Sequence, residues 1–282
     1  MVILGAAFAA TASLQAKLEM DRVDPVPAGE EIPAIDFFRP AMFAGPQLNP
    51  GGTHVAAMSS GGTDSIKLVV HELESGDSWL VEGLGELDIT RFSWLDDEML
   101  IISTEHPARG GVGLFASELQ GRSRPYPIVQ QASHTILGSP IDDRRNLLAR
   151  LNSWGVTDDR GEVVRLDTSL TTADIVDPIA MSTTDRERVN EQNQRAIREQ
   201  VSFLDMGAGQ EYFSDGNGNL AYGIVTDNGQ ESLHAWDGKA WTKSPVDLET
   251  MTVHGAGVAP GQVVVSVHSY DGTVSPVHLM DA

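Results

Sequence analysis

The chain has 282 residues, and its 19 lysine and arginine residues against 40 aspartate and glutamate residues give a formal net charge of −21. This charge repels phosphate backbones and no basic stripe offsets it, so the composition argues against nucleic-acid binding. Because the chain has no cysteine, disulfides, thiolate catalysis and cysteine-ligated zinc are excluded.

The first residues of the chain predict an export signal. Residues 1–12 form an apolar run of about the length of a signal-peptide core, and the run ends in an A-x-A-like site at Ala10-Thr11-Ala12. We therefore expect a trimmed signal peptide over residues 1–16, a solvated linker over residues 17–31 and a periplasmic location. An ordinary disordered terminus is the alternative. Neither this run nor any later segment is long enough to span a bilayer as an apolar helix.

A turn followed by an apolar strand recurs along the rest of the chain. The turns are centred on Pro50, Asp96, Asp142, Asp215 and Pro260. The spacings between these positions are 46, 46, 73 and 45 residues. A length of about 45 residues holds four short antiparallel strands and their turns, which make one propeller blade. The pattern predicts an all-β chain, a β-propeller of about five visible blades over residues 32–282, with a β-sandwich as the alternative.

The strands predicted inside the repeats occupy comparable positions after each turn. They are Ile66–Glu72, Gly111–Leu119, Glu162–Leu166, Leu233–Trp236 and Val277–Leu279. A blade covers its apolar face only by stacking on a neighbour, so units of this kind must form an array.

One repeat is about 27 residues longer than its neighbours, and a helical insertion explains the difference. Residues 184–200 are charged and contain neither glycine nor proline. They open with the sequence TDRE at Thr184, which is typical of a capping box. Their apolar positions fall near one face of a helix, at Val189, Ala196, Ile197 and Val201. We therefore expect a helix inserted at about residues 178–200.

Two stretches resemble a known family. Residues 32–40 (IPAIDFFRP), followed by residues 46–56 (PQLNPGGTHVA), resemble the start of the propeller in bacterial serine peptidases of the prolyl oligopeptidase family. In that family a DFFR-like segment precedes an LSPDGxxVA blade opening. Residues 212–220 (YFSDGNGNL) are similar to a later blade. The sequence departs from the family pattern at Asn49 and Gly51, which stand where serine and aspartate are usual.

The resemblance implies a role in gating. In the family, the propeller caps an α/β-hydrolase domain that carries the catalytic serine, aspartate and histidine, and it restricts access to short or unfolded peptides. The implied partners of this chain are a peptide substrate or a hydrolase domain. A hydrolase nucleophile needs a G-x-S-x-G elbow, and no such pentapeptide occurs, since the candidates at Ser78 and Ser123 both lack the closing glycine. We therefore expect the hydrolase domain to be absent from this chain, and the chain itself to have no catalytic residue.

Other candidate sites have simpler interpretations. Asp215–Asn219 lacks the sixth-position glycine and twelfth-position glutamate of a calcium loop, so it is interpreted as a turn. The histidines occur singly and form no HExxH motif. Three acid pairs, Asp96-Asp97, Asp142-Asp143 and Asp158-Asp159, are interpreted as turn residues, and the first two fall at repeat turns. The five tryptophans are interpreted as packing residues. We therefore expect no metal-binding or cofactor-binding residue.

Three functions stay open at this point. The first is the gating propeller of an exported serine peptidase. The second is a stand-alone propeller that binds a protein or peptide partner without chemistry. The third is a self-contained hydrolase or lyase whose site lies on the propeller axis, where residues distant in sequence could converge.

Overall fold

The computed structural model describes residues 43–60, 65–106, 110–119, 124–139, 143–153, 162–170, 174–177, 180–202, 208–268 and 275–281. Within these residues, five antiparallel sheets follow one another along the chain, and each is built from consecutive strands. The expected signal peptide, linker and DFFR segment lie outside the described residues.

The first two sheets each have four strands. The first contains β1 (Phe43–Leu48), β2 (His54–Ser59), β3 (Lys67–Glu72) and β4 (Ser78–Leu80). The second contains β5 (Asp88–Trp94), β6 (Met99–His106), β7 (Gly110–Glu118) and β8 (Tyr126–Gln130).

The remaining sheets follow the same order. The third contains β9 (Ala132–Gly138), β10 (Leu147–Ser153), β11 (Glu162–Leu166) and β12 (Ile197–Ser202), with the helix α1 (Thr183–Ala196) between β11 and β12. The fourth contains β13 (Ala208–Ser214), β14 (Leu220–Asp227), β15 (Gln230–Trp236) and β16 (Trp241–Lys243). The described part of the fifth contains β17 (Met251–Ala256), β18 (Gln262–Val267) and β19 (Val277–Asp281).

The recurring turns predicted from the sequence are the hairpins between the first and second strands of the sheets. Pro50, Asp96, Asp215 and Pro260 each occupy such a hairpin, and Asp143, the neighbour of the undescribed Asp142, occupies the remaining one. The five strands predicted after these turns are the third strands of the five sheets, β3, β7, β11, β15 and β19. The β-propeller prediction is therefore confirmed.

Stacking of the sheets explains why their central strands are apolar. In β6, every residue except Glu105 is buried. Because side chains alternate across a strand, Met99 and Ile101 pack in a cluster with the third sheet, whereas Leu100 and Ile102 pack in a cluster with the first. A sheet with neighbours on both sides thus needs a nearly continuous hydrophobic run.

The two terminal sheets are each covered on one face in the described structure. In the first sheet, Leu68 and Val70 are fully buried against the second sheet, while Leu80 is 51% exposed. In the fifth sheet, Val263 and Val265 are fully buried against the fourth, while Leu279 is 60% exposed. Apolar side chains on the outward faces of these sheets therefore stay in contact with solvent.

The first strands of neighbouring sheets contact each other at three of the four junctions between sheets. β1 contacts β5, β9 contacts β13, and β13 contacts β17. These contacts between first strands give the sheets a common axis, as the propeller interpretation requires.

The inserted helix is confirmed, but two details of its prediction were wrong. The helix ends at Ala196, and Ile197–Gln200 belongs to β12, because this segment pairs with β11 in the register Leu166↔Ile197. The capping box begins two residues earlier than predicted, at Ser182, whose side chain accepts a hydrogen bond from the Asp185 backbone N–H while the Asp185 carboxylate accepts from the Ser182 backbone N–H. Val189 and Ala196 are the buried residues of the helix.

The helix covers the outer edge of the second sheet. The Asn193 side chain accepts a hydrogen bond from the Gln130 backbone N–H at 2.9 Å and donates to the Gln130 carbonyl at 2.7 Å, as a neighbouring strand would. Gln192 donates to the Pro127 carbonyl at 3.1 Å and accepts from the Gln130 side chain at 2.9 Å. Because an open edge strand invites pairing with other chains, this helix protects β8.

The hairpin turns join neighbouring sheets. The guanidinium of Arg144, in the turn of the third sheet, donates to both carboxylate oxygens of Asp96 in the turn of the second, at 2.6 Å and 3.1 Å. It also donates to Glu118 at 3.2 Å. The two-point contact with Asp96 raises the pKa of Arg144 and fixes the spacing between the two turns.

The junction of the first and second sheets explains both departures from the family pattern. Asn49 is 2% exposed, its side-chain oxygen accepts from the backbone N–H groups of Thr53 and His54, and its side-chain N–H₂ donates to the Asp97 carbonyl at 3.1 Å. The Gly51 N–H donates to the Asp97 carboxylate, and a Cβ at Gly51 would lie 2.8 Å from both of its oxygens. An aspartate at position 51 would therefore collide with Asp97 and repel it.

Gly51→Ala is expected to destabilise the fold by about 1–3 kcal/mol, the usual cost of overpacking. The matched control is Gly216→Ala in the equivalent turn of the fourth sheet, where an added Cβ meets no atom within 4 Å. Urea unfolding of both variants measures the difference. Equal stability of the two variants would contradict the proposed role of the Asp97 contact.

Asn193→Ala is expected to cost about 1–3 kcal/mol, because it leaves the buried backbone groups of Gln130 without their partners. Hydrogen exchange at the Gln130 amide should accelerate. Gln194→Ala, an exposed change on the same helix, serves as the control. Unchanged protection of the Gln130 amide in Asn193→Ala would show that the helix does not hold this edge.

Candidate axial binding site

The wall around the propeller axis is formed by the first strands of the sheets, and it carries little charge. These five strands hold three formally charged residues, Asp88, Arg91 and Glu211, in a chain of net charge −21. The Asp88 carboxylate already accepts hydrogen bonds from the Ser65 hydroxyl and the Ile66 backbone N–H, at 3.1 Å and 2.8 Å. The acidity of the chain therefore resides mainly elsewhere.

Two cavities open along this wall, and both are lined by β9. The smaller, of about 280 Å³, lies between the second and third sheets and includes Arg91, Ser103 and His134. The larger, of about 470 Å³, lies among the third, fourth and fifth sheets and includes Glu211 and His254. Thr135 and Ile136 of β9 line both cavities, so the cavities adjoin each other.

The larger cavity combines aromatic and charged groups. Tyr212 and Phe213 line it, and the guanidinium carbon of Arg150 lies 5.8 Å from the centroid of the Tyr212 ring, a cation–π distance. No hydrogen bond or ion pair joins the Glu211 side chain to another described residue. Its side chain is exposed to solvent beside the cavity.

The imidazole of His134 joins the second and third sheets at the smaller cavity. Its Nδ1 lies 3.2 Å from the Ala132 carbonyl and must donate to it, so in the neutral ring Nε2 accepts from the Ser103 hydroxyl at 2.8 Å. Burial lowers the pKa of His134, and the nearby positive charge of Arg91 lowers it further, while the Ala132 carbonyl acts in the opposite direction. The ring is therefore neutral at pH 7.

The contact between Ser103 and His134 has the geometry of a nucleophile and its base, which the sequence analysis did not anticipate. Three features favour a structural role. The ring is oriented by a backbone carbonyl where a catalytic triad has a carboxylate. Ser103 is 9% exposed, so its hydroxyl is poorly placed for attack. In addition, the described structure contains several similar histidine–hydroxyl pairs. His71 with Ser78, His254 with Ser266 and His268 with Thr252 join neighbouring chain segments, and His234 with Ser232 lies within β15.

Arg91 is the accessible cation of the smaller cavity. It lies directly opposite Ser103 in the pairing of β5 with β6, and its side chain is exposed. No hydrogen bond or ion pair connects that side chain to any other described residue. Glu105, two residues beyond Ser103 on β6, lines the same cavity without being paired to Arg91. Among the described residues, therefore, none accepts a hydrogen bond from the guanidinium of Arg91.

The acidic turn residues that the sequence singled out lie away from this wall. Asp96, Asp97 and Asp143 lie in the hairpin turns and border a shallow cleft that also contains Arg144. Asp215 closes its turn by accepting from the backbone N–H groups of Asn217 and Asn219 at 2.9 Å and 2.8 Å.

The described tryptophans lie within or between sheets. Trp79 and Trp94 pack on the core between the first and second sheets, and Trp236 lies 5.0 Å from Trp241, ring centroid to centroid, beside the core of the fourth. Trp154, Asp158 and Asp159 lie outside the described residues.

Metal-ligand clusters and membrane-spanning helices are both absent from the described part of the chain. No three histidine, aspartate or glutamate side chains there are grouped as metal ligands. No helix among the described residues has the length and apolar character needed to cross a membrane.

The chain matches neither a protein-family model nor a curated protein. Its fold does match solved structures. It is similar to the β-propeller domain of the trilobed protease from Pyrococcus furiosus, with a TM-score of 0.50 and 13% identity over 85% of this chain and 69% of that one.

Two further structures match less closely. The acylaminoacyl peptidase from Pyrococcus horikoshii gives a TM-score of 0.46 at 11% identity, with 86% of this chain and 38% of that one covered. TolB from Acinetobacter baumannii gives 0.45 at 13% identity, with 82% and 52% covered. The chain thus spans about half of TolB and less than half of the acylaminoacyl peptidase. At these identities the likeness shows the fold alone. That fold is a β-propeller, as in the propeller domain of the trilobed protease.

Proposed function

We propose that this chain is the non-catalytic propeller domain of a prolyl-oligopeptidase-type serine peptidase, in which it limits peptide access to a hydrolase domain. The observation that carries the proposal is the axial wall, with its two adjoining cavities and its low charge. The DFFR-like segment at residues 36–39 and the blade openings of the sequence support the choice of family. The apolar run at residues 1–12 supports export to the periplasm.

The chemistry of the wall suits an unfolded peptide. An extended peptide presents unpaired N–H and C=O groups, and the hydroxyls of Thr90, Ser133 and Thr135 line the cavities where those groups would pass. A strongly acidic wall would instead select by charge. A wall with few charges accepts peptides of varied sequence, which is what a gating domain requires.

Thr135→Trp should weaken the binding of a short peptide about tenfold or more, because the indole would obstruct the wall where the two cavities adjoin. The probe is the uncharged tetrapeptide acetyl-Ala-Pro-Ala-Ala-amide, titrated into ¹⁵N-labelled full-length chain. Thr242→Trp on the outer strand β16, where the side chain is exposed, is the matched control. Equal binding by both variants, or no binding by the wild-type chain, would exclude the axial wall as a peptide site.

The purified chain should not react with a fluorophosphonate probe. The His134 ring beside Ser103 is oriented by the Ala132 carbonyl and not by a carboxylate, and Ser103 is buried. Intact-mass spectrometry after incubation measures the reaction. A covalent adduct that disappears in Ser103→Ala would instead establish the axial hydrolase.

Recovery of the native protein with antibodies distinguishes the proposed gating role from that of a stand-alone binding propeller. Antibodies against this propeller should recover a hydrolase domain in the same polypeptide or in a stable complex. Recovery of the propeller by itself, with peptide binding intact, would favour the stand-alone role.

A further inference from the structure

The smaller axial cavity has one feature that peptide gating does not require. Arg91 is the one lysine or arginine on the five described first strands. Its exposed guanidinium is joined to no other described side chain, although it lies in a chain with 40 carboxylates. Glu105 lines the same cavity without an ion pair to Arg91, so the guanidinium can bind an anion supplied by a ligand.

We propose that the cavity around Arg91 and His134 binds the C-terminal carboxylate of a peptide that occupies the axial wall, an inference that rests on the proposed function. The planar guanidinium matches a carboxylate with two parallel N–H donors. His134 does not donate to the ligand, because both its nitrogens are engaged by Ala132 and Ser103.

The groups around Arg91 favour a ligand group that carries a single negative charge. His134 is neutral at pH 7, since burial lowers its pKa, and therefore adds no second cation beside Arg91. The Glu105 carboxylate lines the cavity and repels additional negative charge. A carboxylate is consequently favoured over a phosphate dianion.

The size of the cavity favours the end of a chain. Pockets that hold a whole small ligand usually measure about 300–1,000 Å³, and this one measures about 280 Å³. The rest of the peptide can continue past Thr135 and Ile136 into the larger cavity of about 470 Å³. The terminal residue thus lies in the small cavity and the preceding residues lie along the wall.

The test compares acetyl-Ala-Pro-Ala-Ala, which has a free C-terminus, with its C-terminal amide. Calorimetric titration of the full chain should give tighter binding of the acid, by about tenfold. Arg91→Gln should abolish this preference, so that the acid and the amide bind with equal affinity. Arg186→Gln, an exposed arginine on α1, is the charge-matched control and should retain the preference.

Two further probes define the anion. Acetyl-Ala-Glu-Ala-Ala-amide carries its carboxylate on a side chain and should bind like the uncharged amide. Inorganic phosphate should not compete with the acid at equal concentration. If the glutamate peptide binds as tightly as the acid and depends on Arg91, the terminal assignment is wrong. Competition by phosphate would equally refute the selection of a single charge.

The remaining outcomes separate this inference from the proposed function. Equal affinity of the wild-type chain for acid and amide would overturn the carboxylate site while leaving peptide binding intact. A preference for the acid that persists in Arg91→Gln would place the site elsewhere. Binding of neither peptide would overturn both proposals.

Discussion

The interior sheets of this propeller are apolar on both faces, and water must be excluded from each face by a neighbouring sheet. β6 illustrates the constraint, since its consecutive buried side chains point alternately into the core shared with the third sheet and the core shared with the first. Burying one leucine or isoleucine side chain contributes about 1.5–3 kcal/mol, and each interface collects many such side chains. A sheet of this kind cannot fold as an isolated unit. The repeat length is therefore regular, because every blade must place its apolar side chains opposite those of the neighbouring blades.

This constraint also determines where polar chemistry can occur. The faces are occupied by packing, so polar groups collect in the hairpin turns and on the strands around the axis. Along one face of β6, Met99 and Ile101 pack in the core, and the next positions on that face, Ser103 and Glu105, line the axial cavity. The candidate site is therefore the place where the core between two sheets ends. Its polar residues belong to two sheets, so its geometry depends on their stacking.

The sequence predicts the features that local chemistry determines. Turn residues specify their own hairpins, and so the repeat positions and the third strands were predicted correctly. The end of the helix was not, because Ile197–Gln200 continues a helical pattern and only the pairing with β11 makes it a strand. The cap at Ser182 was missed for a local reason, since Thr184 gives an equally acceptable capping pattern.

The axial site could not have been predicted in the same way. Arg91, Ser103 and His134 are spread over more than forty residues, and each has an ordinary strand context. They meet because β5 pairs with β6, and because β9 of the next sheet stacks beside them. The signals available in the sequence were an arginine shortly before a repeat turn and a histidine between hydroxyl residues. Neither signal identifies a site without the distances that the stacking sets.

The uncovered outward faces of the first and fifth sheets give the array a gradient of cooperativity. An interior blade is held by two interfaces, whereas a terminal blade is held by one in the described structure, as its exposed Leu80 or Leu279 indicates. In a linear array of coupled units, the ends open at a lower free energy than the centre. The cavity containing Arg91 lies between the second and third blades, so fraying at either end leaves its walls assembled. Opening of the fifth blade would instead remove one wall of the larger cavity, which His254 and Gly255 line.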